Sequence, residues 1–112
     1  MNLNVGRDEA MDLLGKWLTE STPLYCSAKF PLFRVVLRGK VFRLSADEVG
    51  LVSEDTLSEL VLRLDTALTF GFLDLRDTGD ADGFGGCLTV FFREAGEDSD
   101  FISFTEVVPP QV

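Results

Sequence analysis

The chain has 112 residues, 46% of them hydrophobic, and 19 acidic against 10 basic side chains give a net charge of −9. That length is one domain spanning 1–112, and folding it buries roughly 65% of the surface its unfolded form exposes, enough for a core without disulfides or a structural metal. The acidity opposes phosphate backbones and anionic lipid surfaces, and no stretch reaches the roughly 18 apolar residues that cross a bilayer.

The first predicted element is a helix from Asp8 to Thr19. Met11, Leu14, Trp17 and Leu18 recur at helical spacing and share one face. Asp8 and Glu9 stand in the first turn, where the helix dipole favours negative charge. Gly15 weakens the middle by about 1 kcal/mol relative to alanine, and the stretch before Pro23 ends the helix. A helix this short is marginal alone, so its apolar face must dock on something.

Strand patterns follow. Leu24, Cys26, Ala28 and Phe30 alternate with Tyr25, Ser27 and Lys29, the period of a half-buried strand. A second run extends from Phe33 to Leu44. Its phase changes between Leu37 and Phe42, and Gly39 stands between them, which predicts a bulge or sharp bend at the glycine. Val49 to Ser53 reads as a short third strand. Glu59 to Leu75 is a fourth run, too long for one flat strand and expected to bend or turn near Asp65–Thr66. Asp74 to Gly86 reads as a glycine- and aspartate-rich loop, and Cys87 to Arg93 and Phe101 to Val107 as two last strands joined by a polar connection. The expected fold is mainly β in the α+β class: an N-terminal helix followed by a five- or six-stranded, strongly bent antiparallel sheet or small partly open barrel.

Much chemistry is excluded. With no histidine in the chain, Ser–His–Asp and Cys–His catalysis are out, as are imidazole metal sites. Neither GxxxxGK[ST] nor GxGxxG occurs, so no cofactor is expected. Cys26 and Cys87 form no CxxC pair and read as small buried hydrophobes from a reducing compartment. With an acidic start in place of a signal peptide, the expectation is a cytoplasmic protein. Asp74, Asp77, Asp80 and Asp82 cluster in one loop and supply the hard oxygen ligands calcium prefers. Asp77, Asp80 and Asp82 are the candidate metal ligands, although an EF-hand alignment leaves Thr78 and Thr89 where acids are required. Arg34, Arg38, Lys40 and Arg43 form the densest basic patch, whose simplest reading is the solvated face of a strand.

Val35–Val36–Leu37–Arg38–Gly39–Lys40–Val41–Phe42, followed by Asp47, resembles the first motif of Sm-like (LSm) small β-barrels, in which a glycine bends the second strand and an aspartate precedes the third. The resemblance implies a small barrel that closes into oligomers through exposed edge strands. The family's second, RNA-binding motif has no counterpart here, so RNA binding is not implied. Arg38–Gly39–Lys40–Val41 leading into Leu44–Ser45–Ala46–Asp47–Glu48–Val49–Gly50–Leu51 is similar to PilZ domains. Arg43 and Glu48 stand where that family's nucleotide-binding pattern has an aspartate or asparagine and a glycine, so cyclic-dinucleotide binding is not implied either.

The expected role is therefore that of a non-enzymatic domain that self-associates or binds another protein, because long apolar strands such as Val35 to Leu44 and Thr66 to Leu75 need their edges covered. The competing expectations are a ligand-binding barrel, taking calcium at the acidic loop or a small molecule inside, and Sm-like nucleic-acid binding.

Overall fold

The computed structural model describes residues 3–55, 58–76, 83–92 and 100–108. Its elements run β1 (Leu3–Val5), α1 (Arg7–Glu20), β2 (Leu24–Phe30), β3 (Phe33–Leu44), β4 (Glu48–Ser53), β5 (Glu59–Arg63), β6 (Thr69–Asp74), β7 (Phe84–Phe91) and β8 (Phe101–Val107). The described strands form one antiparallel sheet in the order β1-β6-β7-β8-β2-β3-β4-β5. Eight strands thus replace the five or six expected. One reason is that the Glu59 to Leu75 run breaks at Asp65–Thr66 and its halves go to distant parts of the sheet; another is that three residues before the helix pair with β6.

The register divides the side chains cleanly. Leu24, Cys26 and Ala28 of β2 face inward with Ile102 and Phe104 of β8, Leu88 and Val90 of β7, and Phe70 of β6. On the other side of β2, Val41 of β3 and Val49 and Leu51 of β4 continue the same buried face. The phase change in β3 lies between Val41 and Arg43, not at the expected Gly39. Gly39 serves a different need: a Cβ there would collide with the Val52 carbonyl oxygen, so β3 and β4 approach closely only because it is glycine. The two strands expected to need edge cover, β3 and β6, are each paired on both sides.

Helix α1 lies inside the curve of this sheet. It packs on β3 and also reaches β6, which stand four positions apart in the sheet order. Four strand spacings of about 4.8 Å make a flat separation of roughly 19 Å. A helix of 14 residues is about 21 Å long and spans that distance by lying across the strands. The curl shows instead in Leu62 of β5 and Phe92, just past β7, which line one groove although their strands stand far apart in the sheet. Ala10, Leu14 and Trp17 are fully buried on the helix face that fills the curl. The sheet does not close; β1 and β5 remain at its two edges. Arg7, at the start of the helix, donates a hydrogen bond to the Leu64 carbonyl (2.9 Å) and sits 5.5 Å from the centre of the Phe70 ring. It ties the connection leaving β5 to the first residues of β6. Among the described residues, no helix is long and apolar enough to cross a membrane.

One polar interaction crosses the core. Trp17 Nε1–H donates to Glu106 Oε2 at 2.8 Å, and the Gly86 N–H donates to Glu106 Oε1 at 2.6 Å. The β7 register shift between Phe84 and Cys87 opens the space, and a Cβ on Gly85 would lie 2.8 Å from the same carboxylate. Replacing Glu106 by alanine leaves both donors without a partner, and a buried donor without a partner is costly. We expect Glu106→Ala to lower unfolding free energy by about 2–4 kcal/mol in a urea titration followed by Trp17 fluorescence. Gly15→Ala should act the other way. Its Cβ would meet Leu44 Cδ2 at an ordinary 3.8 Å, so the gain in helix propensity, about 0.5–1 kcal/mol, should appear in the same titration.

Candidate functional site at the open sheet edge

The candidate metal ligands Asp77, Asp80 and Asp82 lie outside the described residues. Asp74, the first acid of that loop, lies at the end of β6 and bonds to Arg76 through both carboxylate oxygens, at 3.0 and 2.9 Å. The guanidinium hydrogen bond holds its carboxyl below the usual carboxylate range. Among the described residues, no three His, Cys, Asp or Glu side chains are grouped to hold a metal ion.

The basic patch divides. Arg34 and Arg38 project with Lys29 from the convex face, where Arg34 is the register partner of Lys29 and Arg38 that of Tyr25. Arg43 lies past the bulge, bonded to Glu59 at 3.1 Å, with its guanidinium 5.6 Å from the Phe42 ring centre. The aromatic residues near the convex cations pair with one another, Phe91 with Phe101 and Tyr25 with Phe84, their ring centres 6.3 and 6.1 Å apart. Rings engaged in this way offer little free face for stacking a base.

Two cavities lined by described residues are too small for a sizeable ligand. An open apolar groove of about 270 Å³ lies among Phe30, Leu62, Arg63, Thr66 and Phe92. A smaller one of about 200 Å³ lies beneath the helix, lined by Val5, Glu9, Ala10, Leu13, Phe72 and Leu88. Both fall below the roughly 300–1,000 Å³ typical of sites for drug-sized molecules.

The edge strand β5 is paired on one side only among the described residues. Just beyond its two ends, Leu64 N–H donates to the Asp47 carbonyl (2.6 Å) and Ser53 N–H to the Ser58 carbonyl (2.8 Å). Bonded pairs in an antiparallel ladder recur at every second residue. By that parity Leu60 and Leu62 turn their backbone groups toward β4, while Glu59, Val61 and Arg63 turn theirs away from the sheet. No described strand pairs with that side. The side chains alternate as well: Leu60 and Leu62 pack against the core, and Val61 is 40% exposed on the opposite face. Val61 pairs with Gly50, over which the Phe42 ring lies, 2.9 Å from where a Cβ would be. Phe42 itself is 42% exposed. The edge therefore carries a small apolar spot, Phe42 and Val61, between two charged groups, Glu59 beside Arg43 and Arg63 beside Asp65 (2.6 Å). Sequence reasoning missed this site: it expected the Glu59 to Leu75 run to bend or turn near Asp65–Thr66, but had no signal that Glu59 to Arg63 would stand at an edge of the sheet. The available signal was the Glu-Leu-Val-Leu-Arg pattern itself, with opposite charges at its two ends.

No protein-family model, no curated protein and no solved structure matches the chain.

The cysteines are both free and on opposite faces of the sheet. Burial pushes the Cys26 thiol up to about 12 from 9.0. The thiolate is the reactive form, so Cys26 should resist iodoacetamide at pH 8 in the folded protein and react once urea unfolds it, as read by mass spectrometry. The sign for stability follows: with the folded value raised, its contribution is complete below pH 9 and is lost as pH rises toward 12.

Proposed function

We propose that this is a non-enzymatic protein-binding domain of a reducing compartment, which captures an extended polypeptide strand along β5. One observation carries the reading: Glu59, Val61 and Arg63 present backbone donors and acceptors that no described strand satisfies. An added strand completes such a row with main-chain hydrogen bonds, and side-chain contacts on alternate positions then select the sequence. Edges left open are usually blunted by charge, shortness or proline. The opposite edge fits that description, β1 being only three residues long. β5 has five residues, no proline, and a half-exposed valine at its centre. The likeness to Sm-like barrels points the same way, because those barrels assemble through their edges. The convex cations support nucleic-acid binding less well, given a net charge of −9 and aromatic rings already paired.

The test is selection of extended peptides from a random library on the domain, immobilised sparsely enough to keep the molecules apart. Selected peptides should carry alternating apolar residues. Val61→Pro removes one outward donor at an edge position where proline is tolerated, and it should weaken their binding about tenfold or more. If no selected peptide is sensitive to Val61→Pro, strand capture at β5 is wrong.

A further inference from the structure

Resting on that reading of β5, we infer that the strand it captures is β5 of a second copy, paired antiparallel about a two-fold axis through Val61. The residue pattern is self-complementary in three independent ways. With Val61 opposite the partner's Val61, Glu59 falls opposite the partner's Arg63, and Arg63 opposite the partner's Glu59. The bonding parity agrees: the residues brought into register are the three whose backbone groups point outward, so all three pairs exchange hydrogen bonds. The side-chain faces agree too, since Leu60 falls opposite the partner's Leu62 on the core side, while the exposed Val61 and Phe42 of each copy adjoin on the other.

The charges also select against other arrangements. Parallel pairing in register sets Glu59 near the partner's Glu59 and Arg63 near the partner's Arg63. An antiparallel slip that centres the axis on Leu62 sets Glu59 opposite the partner's Asp65, and one that centres it on Leu60 leaves Arg63 without Glu59. Like charges directly opposite destabilise a strand pair, and unlike charges stabilise it. A shift that sets odd residues opposite even ones faces bonding groups against non-bonding ones. In the favoured register each Glu59 lies between its own Arg43 and the partner's Arg63, which keeps its own Asp65. The order Arg43, Glu59, the partner's Arg63, the partner's Asp65 alternates in sign, and such networks gain more than isolated exposed pairs.

The assembly is closed. Each copy has a single β5, and pairing consumes it, so the contact is isologous and stops at two. A ring would instead require β5 to pair with the three-residue β1, which offers too little strand to match it.

Light scattering coupled to size exclusion, over a concentration series, should show a mass that rises to twice 12.4 kDa. Val61→Pro should return it to a monomer. Glu59→Arg and Arg63→Glu should each weaken dimerisation about tenfold or more, and the double variant should recover it. Recovery separates the inter-copy role from the intramolecular one: in the double variant residue 59 repels Arg43 and residue 63 repels Asp65, so a purely internal function is not rescued. A monomer at every concentration overturns the second-copy occupant, and strand capture survives if the library still yields peptides sensitive to Val61→Pro. A dimer indifferent to Val61→Pro and to both charge reversals also overturns it, because its interface then lies elsewhere. Should the proline variant misfold, the three charge variants decide alone.

Discussion

A closed eight-stranded barrel has room inside for side chains and not for a helix. This protein instead lays a helix on the core face of an open sheet. Trp17, Leu14 and Ala10 are fully buried against the concave face, and Trp17 is fixed by the Glu106 carboxylate, which the glycine-lined shift in β7 also holds. With α1 seated, the sheet curls far enough to cover it but stops short of joining its ends. Arg7 keeps the two sides in place through Leu64 and Phe70 without supplying the missing strand pairing, so β5 is both well positioned and unpaired.

Local patterns carried most of the architecture. The period of two located β2, β3 and β8 at their observed ends, and helical spacing located α1 to within one residue at each end. The departures came where local signals are weak or ambiguous. Three residues, Leu3 to Val5, hold too little alternation to announce a strand, and a bulge at Phe42 produces the same phase change as a bend at Gly39. Edge status was the larger difficulty, because it depends on order in the sheet. Pairing of β8 with β2 buries β3 inside the sheet and sends β5 to the rim, and nothing within Glu59 to Arg63 indicates which neighbours it will have. The candidate site was therefore legible only as a charge pattern without a location. The acidic loop and the basic patch attracted attention because residue type alone advertises them.

The net charge of −9 on each copy and the short charged strand act at different ranges. At physiological ionic strength the Debye length is about 8 Å, so diffuse repulsion between two acidic bodies is largely screened. Contacts between neighbouring strands, about 5 Å apart, remain within that range. The screened acidity does not bar two copies from approaching, while Glu59 and Arg63 act once two edges meet in register. This division suits an assembly that depends on one edge.

The most direct test of an open β5 edge, completed by another strand, is residue-resolved amide hydrogen exchange across that strand. Dilute protein should show fast exchange at Glu59, Val61 and Arg63 beside slow exchange at Leu60 and Leu62, and the three fast amides should become protected as concentration rises. Equal protection of all five amides in dilute protein would contradict the account, because the outward groups would then already have partners within a single chain.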